Sequence, residues 1–229
     1  MNIHQGQPIT TIEPKNGYTS SIVILLHGRG ASAEAMIPIA DALSVEGVRF
    51  MIPQAGLNRW YPESAFGPLE ANEPDLSSAF TRIDSIVESA HKNGFLNEQI
   101  FFGGFSQGAC LASEYVARNA QKYGGLFVFS GALIGPRGMT RNYDGSFHNM
   151  PVFIGGSDVD PWVSHDLMAD TAAVFQNMGA EVDFRTYRDM SHTINADEIS
   201  SVRGMLAKTL SYQAEFKIHR QFDMVREAD

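Results

Sequence analysis

The stretch "FFGGFSQGAC", residues 101–110, follows a run of β-formers with two glycine pairs' worth of small residues around a serine, where large side chains would ordinarily fill a core. A buried strand over 100–103 and a helix from 107 onward leave Ser106 on the turn between them, where neighbours must be small. Gly104 and Gly108 meet that need. The pattern Gly-x-Ser-x-Gly in a strand-turn-helix context is a nucleophile elbow. Its strained turn lifts the hydroxyl out of the sheet, so that a base reaches it from one side and a carbonyl carbon from the other. A glycine-rich turn with a serine cap has the same five letters, so the reading depends on what the rest of the chain supplies.

Working outward, apolar runs alternate with amphipathic stretches. "SIVILL" (21–26), "VRFMIP" (48–53), "IFFGG" (100–104), "GLFVFSG" (125–131), "PVFIGG" (151–156) and "EVDFRTY" (181–187) read as six strands. Helices are expected over 33–43 with Pro38 near a kink or an irregular turn, over 75–94 with Asp75 as N-cap and Gly94 as stop, from the elbow to about 122, over 164–178, and over 195–210. Asn195 and Glu198 open the last of these at capping-box spacing. The segment 54–74, with "RWYPESAFGP", has no periodicity, and "PRGMTRNYDGSFHNMP" has the composition of a surface connection. Residues 213–229 form a charged C-terminal extension, either helical or frayed.

Strands alternating with helices imply a mostly parallel sheet covered on both faces. Right-handed crossovers then bring the loops beginning at His27, Ser106, Gly156 and Arg188 to one edge, where open α/β sheets hold their sites. With no repeat, linker or low-complexity tract, one domain is expected over 1–229, its core at about 20–212.

Composition narrows the partners. The chain has 229 residues, 17 Lys plus Arg against 26 Asp plus Glu, and a net charge of −9, which argues against nucleic acid or an anionic membrane surface. One cysteine makes no internal disulfide, the first ten residues are polar, and no segment is apolar for the length of a bilayer, so a cytoplasmic protein is expected. No cluster has metal-ligand spacing and the glycine stretches lack a Gly-x-Gly-x-x-Gly with its acidic partner, so neither a metal nor a nucleotide cofactor is expected.

A serine hydroxyl needs a histidine to take its proton, and that histidine needs a carboxylate. Of the histidines after Ser106, only His192 in "RDMSHTINADE" falls in a loop after a strand and before a helix. For the acid, "GGSDVDPWVS" offers Asp158 and Asp160. A carbonyl that becomes tetrahedral also needs donors for its oxyanion. The N–H of Gln107, just after the serine, is one candidate, and the N–H of Arg29 in "LLHGRGAS" is the other.

The motifs "LLHGRGA", "GGFSQGA", "SDVDPWV" and "MSHT" resemble the phospholipase/carboxylesterase family of α/β-hydrolases, over about residues 22–210. The resemblance implies the α/β-hydrolase fold with minimal or no cap domain, and selects Asp160 as the acid beside Ser106 and His192. It also implies Arg29 and Gln107 as backbone oxyanion donors, a small-molecule ester as substrate, and a homodimer as a possible assembly. Thioesterases of the family commonly have leucine where this chain has Arg29, and "RWYP" is more similar to the bacterial esterase branch, which favours small esters. The alternatives are an acyl-protein thioesterase acting on long acyl chains and a non-catalytic binder. Trp60, Tyr61, Phe66 and Trp162 are expected to line the substrate site, with Arg29 or Arg59 receiving a polar substituent. Cys110, one turn beyond the serine, is expected in the core.

Overall fold

The computed structural model describes residues 2–226, with side chains for residues 2–211. Among these, seven strands form one sheet: β1 (Ile9–Ile12), β2 (Ser21–Leu26), β3 (Val48–Pro53), β4 (Ile100–Phe105), β5 (Gly125–Phe129), β6 (Pro151–Ser157) and β7 (Glu181–Tyr187). Their order is β1-β3-β2-β4-β5-β6-β7, and every neighbouring pair is parallel except β1 with β3. The strand missed by sequence reading is β1. It is four residues long, lies at the edge, and is only partly buried, so it lacks the apolar run that marks the inner strands.

The inner strands are apolar on both faces because both faces are covered. Along β2, Ile22, Ile24 and Leu26 enter one core while Val23 and Leu25 enter the other. The first core packs against α2 (Asp75–Lys92), α3 (Gln107–Arg118) and α4 (His165–Asn177), and the second against α1 (Ile37–Leu43) and α5 (Ala196–Arg226).

Several local expectations are corrected. Of the two expectations for Pro38, the irregular turn holds and the kink does not: a short 3-10 turn at Glu34–Met36 precedes it, and Pro38 sits in the first turn of α1, where it opens the helix. Asp75 is already inside α2 and makes no side-chain cap; Glu73 supplies the acceptor, its carboxylate taking the N–H of Ser77 at 3.1 Å. α3 stops at Arg118, short of 122. The connection after β5 is not all surface: Phe147 and Met150 are buried, and Phe147 stacks on Phe175 of α4 with ring centroids 5.0 Å apart. The last helix runs on to Arg226, which makes most of the C-terminal extension helical, and 227–229 lie outside the described residues.

Candidate active site

The elbow forms as its glycines require. Ser106 has φ 54° and ψ −119°, a conformation that non-glycine residues rarely adopt, between the end of β4 and the first residue of α3. Its N–H donates to Phe129 O at 2.9 Å, and its own carbonyl accepts the N–H of Cys110 at 2.9 Å, so the strained turn is held from both sides. A Cβ on Gly104 would lie 2.6 Å from the carbonyl carbon of Gly108. One on Gly108 would strike Leu26 O and come within 2.5 Å of His27 O. Helix α3 therefore starts in direct backbone contact with the strand beside it.

Three side chains from three loops meet at this point. His192 Nε2 lies 2.9 Å from Ser106 Oγ, and His192 Nδ1 lies 2.6 Å from Asp160 Oδ2. A carboxylate only accepts, so Nδ1 carries the proton and Nε2 is left to accept from the serine hydroxyl. Asp160 is buried, and its other oxygen accepts the N–H groups of Trp162 at 2.8 Å and Val163 at 3.0 Å. The proline between them turns the chain so that both amides point back at the carboxylate. Phe105 flanks the imidazole, ring centroids 4.8 Å apart. Asp158 stays outside this group: its carboxylate accepts the N–H of Asp189 and makes a loop-to-loop tie.

The loop carrying His192 is anchored at its far end. Asn195 and Glu198 form the expected capping box, Glu198 Oε2 accepting the Asn195 N–H at 2.8 Å and Asn195 Oδ1 accepting the Glu198 N–H at 3.0 Å. Glu198 is fully buried, its Oε1 has no hydrogen-bond partner, and burial pushes its carboxyl up to about 7.

Of the residues expected to donate to an oxyanion, Gln107 directly follows the serine and Arg29 follows a glycine that abuts it. Gln107 is the first residue of α3, where the N–H has no acceptor within the helix. Gly28 abuts the elbow, since a Cβ there would lie 3.5 Å from Ser106 Cβ, and Arg29 follows it. The next amides along, Gly30 and Ala31, are taken by Asn58 O at 2.7 Å and Gly28 O at 3.2 Å.

The aromatic expectations fare differently from one another. Trp60 and Tyr61 have no exposed surface and face the core, so neither lines an open site. Trp60 donates its indole N–H to His27 O at 2.9 Å and its backbone N–H to Gln107 Oε1 at 2.9 Å, while Tyr61 O accepts from Gln107 Nε2 at 2.8 Å. They support the two candidate oxyanion segments from beneath. Phe66 is half-buried against the same core, and Trp162 is 71% exposed directly after the acid loop. Arg29 and Arg59 do not stand free for a substrate. Arg29 donates to Pro62 O at 2.6 Å and Glu63 O at 2.5 Å, and Arg59 pairs with Asp75 at 3.7 Å. Cys110 is buried and its thiol is pushed up to about 12 by burial, which makes it inert.

What sequence reading missed is His4, buried against this scaffold. Its imidazole lies 3.0 Å from both Trp60 O and Gly56 N. A lone histidine in a polar N-terminal stretch carries no pattern that would single it out.

No helix among the described residues is long and apolar enough to cross a membrane. Comparison with known proteins places the fold and site in context. The phospholipase/carboxylesterase model matches residues 7–210. Acyl-protein thioesterase 1 of Kluyveromyces lactis is 24% identical over 83% of this chain and 92% of that protein. A probable carboxylesterase of Oryza sativa subsp. japonica is 26% identical over 85% of this chain and 80% of that protein. A crystal structure of a phospholipase/carboxylesterase from Dyadobacter fermentans aligns with TM-score 0.83 at 37% identity, covering 88% of this chain and 97% of that one. With a family match across all seven strands of the sheet and a structural relative of the same architecture, the chain belongs to the phospholipase/carboxylesterase family of α/β-hydrolases, whose members cleave ester bonds.

Proposed function

We propose that this chain is a serine carboxylesterase that hydrolyses small carboxylic esters through an acyl-enzyme. The observation that carries the proposal is the continuous relay from Asp160 through His192 to Ser106, with bonds of 2.6 and 2.9 Å. Ser106 Oγ attacks the ester carbonyl as His192 Nε2 takes its proton, and Asp160 holds the ring and stabilises the imidazolium. The N–H groups of Gln107 and Arg29 receive the oxyanion. Collapse of the tetrahedral intermediate breaks the bond to the alcohol, which leaves with the proton from His192. Water, deprotonated by the same nitrogen, then attacks the acyl-serine and releases the acid and the free hydroxyl. We place the enzyme in the cytoplasm.

The relatives named acyl-protein thioesterase give the second reading, in which the leaving group is a thiolate and the acyl chain is long. The bacterial structure, at 37% identity, carries the name phospholipase/carboxylesterase, which is compatible with the esterase reading. Hydrolysis of p-nitrophenyl acetate, butyrate, octanoate and palmitate, with Ser106→Ala in parallel, separates them. Rates that fall with chain length and vanish in the variant are expected. Rates that rise towards palmitate favour the thioesterase, and turnover that survives Ser106→Ala removes the serine mechanism.

A further inference from the structure

We propose that His4 is a positioning residue for the oxyanion site: its imidazole ties the N-terminal segment to loop 54–61 and, through Trp60, to the segments that carry Gln107 and Arg29. The proposal rests on the serine-esterase mechanism above. His4 precedes the residues matched by the family model, which begin at 7.

The geometry runs through one loop residue. His4 Nε2 donates to Trp60 O and His4 Nδ1 accepts the N–H of Gly56, each at 3.0 Å. These two bonds fix the tautomer, and burial holds the ring's pKa below its ordinary value, so Nδ1 keeps its lone pair. Trp60 then grips both sides of the site. Its backbone N–H holds the side chain of Gln107, and its indole holds the carbonyl of His27, two residues before Arg29. The Trp60 ring sits against both imidazoles, with centroids 5.5 Å from His4 and 5.1 Å from His27.

The segment bearing His4 is itself anchored on α2. His4 N–H donates to Ser78 Oγ at 3.3 Å, Ser78 Oγ donates to Asn2 Oδ1 at 2.5 Å, and Arg82 donates to Gln7 O at 2.5 Å. Gly56 shows how closely it approaches the loop, since a Cβ there would lie 2.5 Å from Ile3 O. Losing the brace leaves the nucleophile and its relay in place and frees the loop under the oxyanion donors. Such a displacement weakens the transition state more than the bound substrate, and therefore lowers kcat with little change in KM.

The test measures kcat and KM for p-nitrophenyl acetate, inhibition by a trifluoromethyl ketone, and the melting temperature, in wild type, His4→Phe, His4→Gln, Gly56→Ala and Ser106→Ala. His4→Phe and Gly56→Ala are expected to lose about tenfold or more in kcat with KM within about twofold, and to bind the ketone more weakly by a similar factor. His4→Gln, which carries a donor and an acceptor, is expected to recover most of that loss. A His4→Phe protein that melts lower but keeps wild-type kcat and ketone affinity overturns the proposal and leaves the esterase mechanism standing. If His4→Phe does not fold, equal kcat in Gly56→Ala and wild type overturns it instead. Turnover retained by Ser106→Ala removes the mechanism itself and the proposal with it.

Discussion

The carboxylate of Asp158 accepts the backbone N–H of Asp189 at 2.9 Å, drawing the loop after β6 against the loop that carries His192. Asp160, two residues on, uses the same loop-to-loop closeness to hold the imidazole. The first aspartate sets the distance between loops and the second orients the ring.

The two roles predict different outcomes. Asp160→Asn keeps the shape and loses the charge and the correct tautomer, so kcat on p-nitrophenyl acetate should fall by about a thousandfold or more. Asp158→Ala loosens the tie without touching the ring, and kcat should fall less than about tenfold. Steady-state kinetics on both variants checks this; equal losses would mean that the assignment of the acid is wrong.

Glu198 predicts a pH-dependent stability. Its carboxyl is pushed up to about 7 in the folded protein, above the value of roughly 4.3 expected in the unfolded chain. Between those values the folded state holds a proton that the unfolded state has released. The stability is therefore complete below the unfolded value and is lost as pH rises through 7, by about 4 kcal/mol. Glu198→Gln keeps an acceptor for Asn195 and never ionises. It should melt above wild type at pH of about 8.5 and close to it at pH of about 5. A melting difference that stays constant with pH would count against burial as the cause.

Gly108 predicts a steric failure. Its missing side chain is what lets α3 touch the carbonyls of Leu26 and His27, both backbone atoms that cannot swing aside. Gly108→Ala should lower unfolding free energy by about 3 kcal/mol or more in urea titration. An alanine tolerated at full stability and activity would mean that the elbow is looser than its contacts indicate.

How far all this could be read from sequence depended on where each partner lies along the chain. Strands with neighbours on both sides declare themselves, because double burial demands runs such as "SIVILL" and "GLFVF". β1 does not, since an edge strand with "ITTI" is half-solvated and short. That Ser106 and His192 could meet was legible because strand order restricts which loops reach the sheet edge, but it left Asp158 and Asp160 both open, and only the family resemblance chose between them. The aromatic residues were not legible. Trp60 looks like a site-lining residue until its indole and backbone N–H find partners at positions 27 and 107, and nothing local announces bonds across such separations. His4 is harder still, because the hydrogen-bond partners of its imidazole are backbone atoms, which have no sequence signature.

The only cysteine of the chain, Cys110, is sealed beneath the elbow with its thiol far from ionisation. The protein's surface is thereby blank to maleimides. A cysteine introduced in place of exposed Trp162 becomes the sole attachment point for a fluorophore, a reporter that can follow the acid loop through turnover without any background thiol having to be removed first.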